Sequence, residues 1–193
     1  MPAIQRDSLL SLEAYARERN AFRARVLEHK RHRSVALGEH VTLLFEDELT
    51  IRYQIQEMLR IERIFEEDGI RHELEAYNPL VPDGGNFKAT MLIEYSDAEE
   101  RRRALARLRG IEDRVWVQVA DHARMAAVAD EDLERENADK TSAVHFLRFE
   151  LEPGMRDALR AGAPLVFGID HPQYQARVAV GPEVRDALAA DLS

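Results

Sequence analysis

The sequence predicts an α+β fold in which a mixed, largely antiparallel sheet, or more than one such sheet, packs against several helices. Three observations support this prediction: a long N-terminal stretch with helical spacing, short strand-like runs that come in neighbouring pairs, and helical runs between those pairs. Strands that follow one another in pairs form hairpins. The pattern therefore disfavours a doubly wound parallel sheet, in which strands and helices alternate.

Apolar residues at three- and four-residue spacing predict the helices, and capping residues mark where several of them begin and end. A long N-terminal helix covers 7–33 and ends in a basic run, which suits the negative end of a helix dipole. The spacing of Ser96 and Glu99 predicts a capping box at the start of another helix, and Gly110 is expected to end that helix. The other predicted helices are 48–67, 71–77, 154–161 and 182–192, with a helical turn or loop at 130–140.

Runs rich in β-branched and aromatic residues predict the strands. The run 35–45 contains a Gly38-Glu39 break, which indicates either two short strands or one bulged strand. The strongest alternation lies at 141–151 and places His145 on the same face as Leu147. The remaining predicted strands are 87–95, the hairpin of 115–119 with 125–128, and the hairpin of 165–169 with 174–180.

The length indicates one domain, since 193 residues exceed the usual domain of about 150 residues only slightly. We expect a single domain over 1–193, which can divide into a helix-rich lobe at 1–78 and an α+β lobe at 87–193. The Pro- and Gly-rich loop 78–86 would join these two lobes.

Composition excludes several classes of protein. The chain has no cysteine, so disulfides, thiol nucleophiles and iron–sulfur ligation are excluded, and any metal would have to bind to His, Asp or Glu. The net charge of −9 argues against a nucleic-acid partner. The charged N-terminus and the absence of a long apolar run predict a cytoplasmic protein that neither carries a secretory signal nor enters a membrane.

Two polar residues fall on faces that are otherwise apolar. Glu62 lies near the middle of the apolar stripe of the predicted helix 48–67, and His145 lies on the apolar face of its strand. A buried carboxylate must be paired, hydrogen-bonded, metal-bound or protonated. One interpretation is structural, with Glu62 paired to an arginine and His145 satisfied in the core. The other is a non-haem iron or zinc site built on both residues.

A third ligand for such a site would come from His40 or His171. His171 precedes Pro172, which favours an extended turn, so we expect His171 at the surface. Glycine-rich nucleotide loops, the nucleophile elbow and the zinc-protease motif are absent from the sequence. No reaction is therefore predicted.

Four long strings resemble a bacterial family known only as domain of unknown function 3501. They are ALGEHVTLLFED at 36–47, YQIQEMLRIERIFE at 53–66, YNPLVPDGGNFKAT at 77–90 and KTSAVHFLRFEL at 140–151. The resemblance covers nearly the whole chain and implies no established activity. The polar residues of the strings that form a candidate pocket are Gln54, Gln56, Glu57, Glu62, Asn78, Lys88, His145 and Arg148.

The resemblance also implies a setting, because genes of that family often lie beside genes for rubrerythrin-like proteins and cysteine-rich iron–sulfur oxidoreductases. Our first hypothesis is therefore a non-catalytic accessory or interaction protein of a cytoplasmic redox or peroxide-linked (oxidative-stress) system. It would be a homo-oligomer with a rubrerythrin-like or iron–sulfur oxidoreductase partner, and would carry no iron–sulfur cluster itself. The alternative is a metal- or cofactor-binding protein, with or without enzymatic activity, whose non-haem transition metal is held around Glu62 and His145.

Overall fold

The computed structural model describes residues 3–131, 135–137 and 139–193. Within those ranges, six α-helices and nine strands form an α+β fold with two sheets, and every strand pair is antiparallel. The predicted fold class and the long N-terminal helix are confirmed. No helix in the described ranges has the length and hydropathy needed to span a bilayer.

The secondary-structure elements follow the predicted order closely. The helices are α1 (Leu12–Arg31), α2 (Glu48–Ile61), α3 (Glu67–Tyr77), α4 (Ala98–Arg107), α5 (Pro153–Arg160) and α6 (Pro182–Ala189). The strands are β1 (Ser34–Leu37), β2 (Val41–Phe45), β3 (Asn86–Ile93), β4 (Val115–Val119), β5 (Met125–Ala126), β6 (Val128–Ala129), β7 (Val144–Glu150), β8 (Leu165–His171) and β9 (Tyr174–Ala179). Short 3-10 turns cover Arg6–Ser8, Asn78–Leu80 and Glu112–Arg114.

The chain crosses from one sheet to the other between β5 and β6. The first sheet has the order β1-β2-β3-β7-β6, and the second has the order β5-β4-β8-β9. Ala127 lies at the crossing, and its N–H donates to the carbonyl of Val115 at 2.9 Å. Because β6 pairs with β7, the crossing delivers the next residue, Asp130, to the side of β7.

The two sheets share one apolar core. Phe45 and Phe149 of the first sheet meet Phe167 of the second, with ring centroids 4.9 and 5.3 Å from Phe167. All three side chains are buried. Burial of an aromatic side chain of this size contributes about 1.5–3 kcal/mol, so these contacts hold the sheets face to face.

The N-terminal segment and the first three helices pack around a second, smaller apolar cluster. Its buried members are Ile4, Leu9, Ile51, Ile55, Leu59, Ile70, Leu74 and Val81. The division into clusters does not follow the expected lobes at 1–78 and 87–193. β2 pairs with β3 across the 78–86 loop, because the β1–β2 hairpin would otherwise leave an unpaired edge in solvent.

The predicted helix 48–67 is interrupted. α2 ends at Ile61, Arg63 adopts a positive φ of 55°, and the N–H of Ile64 donates back to the carbonyl of Leu59 at 2.9 Å. This is the hydrogen-bond pattern of a Schellman turn, which stops a helix. The helical turn or loop expected at 130–140 falls partly on 132–134 and 138, which lie outside the described residues; the described part contains no helix.

Candidate functional site

Glu62 is exposed rather than buried, and it does not belong to the group of possible ligands that the described residues form around His145. Since α2 ends one residue earlier, Glu62 becomes its exposed C-cap, and the apolar stripe does not continue past it. In the described residues, the ionisable side chains that neighbour His145 are Glu112 and Asp130. The helical period of α2 does not extend through the turn at Arg63.

Two polar residues of α2 hold the helical layer together. Gln56 is buried, and its side chain accepts the N–H of Leu10 at 2.7 Å and donates to the Leu10 carbonyl at 3.3 Å. Glu57 accepts the hydroxyl of Tyr15 at 2.7 Å and the guanidinium of Arg19 at 2.7 and 2.9 Å. The hydrogen bonds from Arg19 lower the pKa of Glu57 to about 2. Both residues therefore have structural partners.

Three other candidates lie along a groove on the outer face of the first sheet. Gln54 lines a cavity of about 290 Å³, while Lys88 and Arg148 line a neighbouring cavity of about 80 Å³. Lys88 donates to the carbonyl of Pro79, and Arg148 pairs with Glu131 at 2.7 Å and with Glu150. The charge of Arg148 is thus compensated within the chain, and Lys88 is hydrogen-bonded to the backbone.

Asn78 ties the N-terminal segment to the end of α3. Its side-chain oxygen accepts the N–H of Ile4 at 2.8 Å, and its amide donates to the Ile4 carbonyl at 3.0 Å. This pair of bonds completes the backbone hydrogen bonding of an otherwise unpaired residue. Asn78 therefore belongs to the packing of the N-terminus.

The two candidate third ligands lie away from His145. The His40 ring stacks on Tyr95 with centroids 3.9 Å apart. His171 is 6% exposed, so the expectation of a surface position is wrong. Its Nε2 lies 3.0 Å from the carbonyl of Arg109, and its Nδ1 accepts the N–H of Gln173 at 3.1 Å. These bonds satisfy both ring nitrogens and draw the ring inward at the end of β8.

His145 is fully buried, as its strand pattern predicts. Its Nδ1 lies 2.6 Å from Oδ2 of Asp130. Its Nε2 lies 3.0 Å from the hydroxyl of Thr141, 3.1 Å from the carbonyl of Ser142 and 3.9 Å from Oε2 of Glu112. Both sides of the imidazole ring therefore face oxygen atoms.

The sheet crossing and the strand β7 position Asp130. Its backbone has a positive φ of 47°, a conformation that Asp tolerates better than most residues. Its N–H donates to the carbonyl of Phe146 at 2.8 Å, and its Oδ1 accepts the N–H of Phe146 at 2.9 Å. Asp130 thus extends the pairing along β7 and turns its second carboxylate oxygen toward His145.

Glu112 comes from the 3-10 turn between α4 and β4. Its side chain is 9% exposed, and its Oε2 accepts the hydroxyl of Thr141 at 3.3 Å. Thr141 is itself fixed, because its N–H donates to the carbonyl of Leu105 at 3.1 Å. Burial raises the pKa of Glu112, while its own backbone hydrogen bond and the nearby His145 oppose the rise.

One ligand atom from each of Glu112, Asp130 and His145 lies within 4.8 Å of the others. A cavity of about 260 Å³ adjoins the two carboxylates and is also lined by the exposed Asp113. The sequence reasoning missed Glu112 and Asp130, since neither falls on a periodic face. Asp130 faces Nδ1 of the imidazole and Glu112 faces Nε2. Imidazole nitrogens and carboxylate oxygens are ligand types that divalent transition metals take in proteins.

The fold and the site define a two-sheet α+β protein with a buried histidine–carboxylate cluster. The chain belongs to the family described as "Protein of unknown function (DUF3501)", whose model matches residues 3–192. It is similar to a crystal structure from Burkholderia pseudomallei, a novel protein of unknown function, with 60% identity, 100% of both chains covered and a TM-score of 0.95. No curated protein matches the chain. The family resemblance is thereby confirmed, and no activity comes with it.

Proposed function

We propose that this protein binds a divalent transition metal through Glu112, Asp130 and His145. The observation that carries the proposal is the convergence of their ligand atoms within 4.8 Å of one another. The three residues come from the 3-10 turn, the sheet crossing and β7, so a bound ion would link both sheets. In this proposal Asp130 and Glu112 take the place of Glu62 in the carboxylate–histidine site that the sequence suggested.

The donor set favours manganese, iron or zinc. An imidazole nitrogen suits zinc and iron, while carboxylate oxygens suit harder ions such as manganese. Two carboxylates supply a formal charge of about −2, which balances a divalent ion. The side chains of Glu112 and Asp130 are only 9% and 8% exposed, so a cation placed between them would offset the cost of burying two like charges.

The broader role follows from the family resemblance. We propose that this metal-binding protein acts in a cytoplasmic redox or peroxide-linked system, as a homo-oligomer beside a rubrerythrin-like or iron–sulfur oxidoreductase partner. The absence of cysteine supports the assignment of iron–sulfur chemistry to the partner. In such a system, this chain would contribute a metal ion bound by oxygen and nitrogen ligands, and the partner would contribute the iron–sulfur cluster.

The test is metal analysis of protein purified without a chelator or a metal-affinity tag. We expect the wild type to hold about one manganese, iron or zinc ion per chain, and Glu112→Gln and His145→Gln to lower the affinity at least about tenfold. Glu62→Gln is the matched control, since Glu62 is exposed at the end of α2 and should leave binding unchanged.

Two results would overturn the proposal. One is wild-type protein that stays metal-free after titration with each of the three ions. The other is unchanged affinity in Glu112→Gln when circular dichroism shows that the variant is folded. If His145→Gln fails to fold, Glu112→Gln decides the question. Glu112 lies in a short 3-10 turn rather than in a strand, so its substitution should disturb the fold less.

A further inference from the structure

A strongly acidic cavity leads to the proposed metal site. Among the described residues, its wall carries the carboxylates of Glu112, Asp113, Asp130 and Glu136, and the guanidinium of Arg135. An excess of carboxylates in a concave wall raises the local concentration of cations. The cavity is thus a suitable entry route for a divalent ion, and Arg135 already holds a positive charge within it.

Arg135 is seated on the proposed ligand Asp130. Its Nη1 lies 3.1 Å from Oδ1 of Asp130, and its guanidinium carbon lies 4.6 Å from the centroid of the Phe146 ring. The side chain is 15% exposed, so it faces the cavity rather than the core. Arg135 therefore occupies the open side of the Asp130 carboxylate.

The hydrogen-bond capacity of Asp130 is nearly used. A carboxylate offers about four lone-pair positions, and three donors surround this one: the N–H of Phe146, the ring of His145 and the guanidinium of Arg135. A metal ion that takes the remaining position would lie beside the same carboxylate as the guanidinium, so the two cations would repel each other. The cation that most directly competes for the carboxylate is Arg135.

Of the three donors, Arg135 is the one that can yield. The N–H of Phe146 is part of β7 and is fixed by the sheet, while His145 is itself a proposed ligand. Arg135 has a long side chain, and it lines a cavity that is also lined by the carboxylates of Asp113 and Glu136. Those carboxylates give the guanidinium acceptors to move toward once it leaves Asp130, and it already lies over the Phe146 ring.

We propose that Arg135 is a built-in competitor for the metal, which neutralises Asp130 in the metal-free protein and is displaced when a divalent ion binds. The inference rests on the proposed metal-binding function. It adds regulation to that site, because the affinity for metal depends on how much more strongly the ion than the guanidinium binds the same carboxylate. A weakly bound monovalent cation would not displace Arg135, so the site would select for divalent ions.

Titration of Mn²⁺ into metal-free wild type and Arg135→Gln, followed by calorimetry, tests the inference. Arg135→Gln keeps much of the side-chain length but removes the charge, so we expect Mn²⁺ to bind about tenfold more tightly. The metal-free variant should also unfold at a lower temperature than the wild type, because Asp130 loses a cation. Arg135→Lys retains a positive charge and should bind Mn²⁺ with intermediate affinity.

The matched control is Arg124→Gln. Arg124 also pairs with an aspartate, Asp170, at 3.0 Å and also lies over an aromatic ring, that of Trp116 at 3.8 Å, but it is not among the residues that line the cavity. Its loss should leave Mn²⁺ affinity unchanged. If the wild type binds Mn²⁺ and folded Arg135→Gln binds it equally well or more weakly, the competition is overturned, but the metal-binding function is not. If neither protein binds any of the three ions, the metal-binding function itself is overturned. Should Arg135→Gln fail to fold, Arg135→Lys with wild-type affinity would overturn the competition.

Discussion

Replacement of Glu57 by glutamine should destabilise the packing of α1 on α2. Glu57 is the acceptor at the centre of this interface: it bonds Tyr15 at 2.7 Å, Arg19 at 2.7 and 2.9 Å, and Arg60 at 3.2 Å. Its side chain is only 12% exposed. Glutamine preserves the shape and one acceptor oxygen, but it removes the charge and replaces the other oxygen by a donor that faces guanidinium groups.

The size of the effect can be worked from the pKa of Glu57. Hydrogen bonds from Arg19, opposed by burial and helped by Tyr15 and Arg60, lower this pKa to about 2 from its usual 4.5. At 1.36 kcal/mol per pH unit, the difference corresponds to at most about 3.4 kcal/mol. Arg19 and Arg60 are 31% and 39% exposed, so solvent screening reduces the expected loss to about 1–2 kcal/mol.

The pH dependence has a definite sign. A carboxylate whose pKa is lower in the folded state stabilises the protein fully above the unfolded pKa, and the stabilisation disappears as the pH falls through the folded pKa. The difference in unfolding free energy between wild type and Glu57→Gln should therefore be complete at pH 7 and shrink between about 4.5 and 2. Both proteins should be unfolded with urea at several pH values, with exposed Glu62→Gln as the neutral control.

If the wild type and Glu57→Gln have the same unfolding free energy at pH 7, or if their difference does not shrink on acidification, the role of charge in this interface is refuted. An equal loss in Glu62→Gln would show that the effect comes from net charge rather than from the contacts of Glu57. The test is independent of the metal site, because Glu57 lies between α1 and α2.

Two further substitutions probe the core and the C-terminus. Gly168→Ala should destabilise the second sheet by about 1–3 kcal/mol, because a Cβ at Gly168 would overlap Cζ2 of Trp116. Thermal unfolding measures the loss of stability, and tryptophan emission reports the displacement of Trp116. An unchanged melting temperature would contradict this packing. Asp191→Ala should cost about 2 kcal/mol or more in urea unfolding, because among the described residues it leaves the buried guanidinium of Arg33 with Asp47 and backbone carbonyls as partners. Wild-type stability of this variant would show that these partners suffice.

The hairpins could be predicted from the sequence because their signals are local. The run at 141–151 alternates over its whole length, and the structure forms β7 (Val144–Glu150) there. The β8–β9 hairpin turns at Pro172 and Gln173, between the two predicted strands. Pro at the start of α5 and α6 likewise marks their first residues. Each of these signals lies within a few residues of the element it defines.

The end of α2 and the sheet crossing could not be predicted in the same way. Arg63 adopts a left-handed conformation that usually indicates glycine or asparagine, so no residue type marked the turn. The predicted hairpin of 115–119 with 125–128 includes β5, which pairs with β4. At two residues each, however, β5 and β6 are too short for any alternation to show where the chain changes sheet. They form only because longer neighbouring strands offer them free hydrogen-bonding edges.

The same limits explain why the sequence revealed His145 but not its partners. The strand pattern around His145 is local, whereas Asp130 reaches it through the sheet crossing and Glu112 through a turn after α4. A positive φ at a residue such as Asp130 is visible only in the folded chain. Because Asp130 bonds β7 through both its backbone and its carboxylate, its conformation is fixed by tertiary contacts rather than by its own propensity.

The partners of Glu112 distinguish it from the buried carboxylates of the structural ion pairs. Glu57 and Asp191 each meet a guanidinium at hydrogen-bonding distance, so their charges are compensated. In the part of the chain that the structure describes, Glu112 meets only the hydroxyl of Thr141 at 3.3 Å and the ring of His145 at 3.9 Å, besides its own backbone. A neutral hydroxyl and a more distant imidazole compensate a carboxylate less than a bidentate arginine does. Of these buried carboxylates, Glu112 is therefore the one at which an added cation would stabilise the fold most.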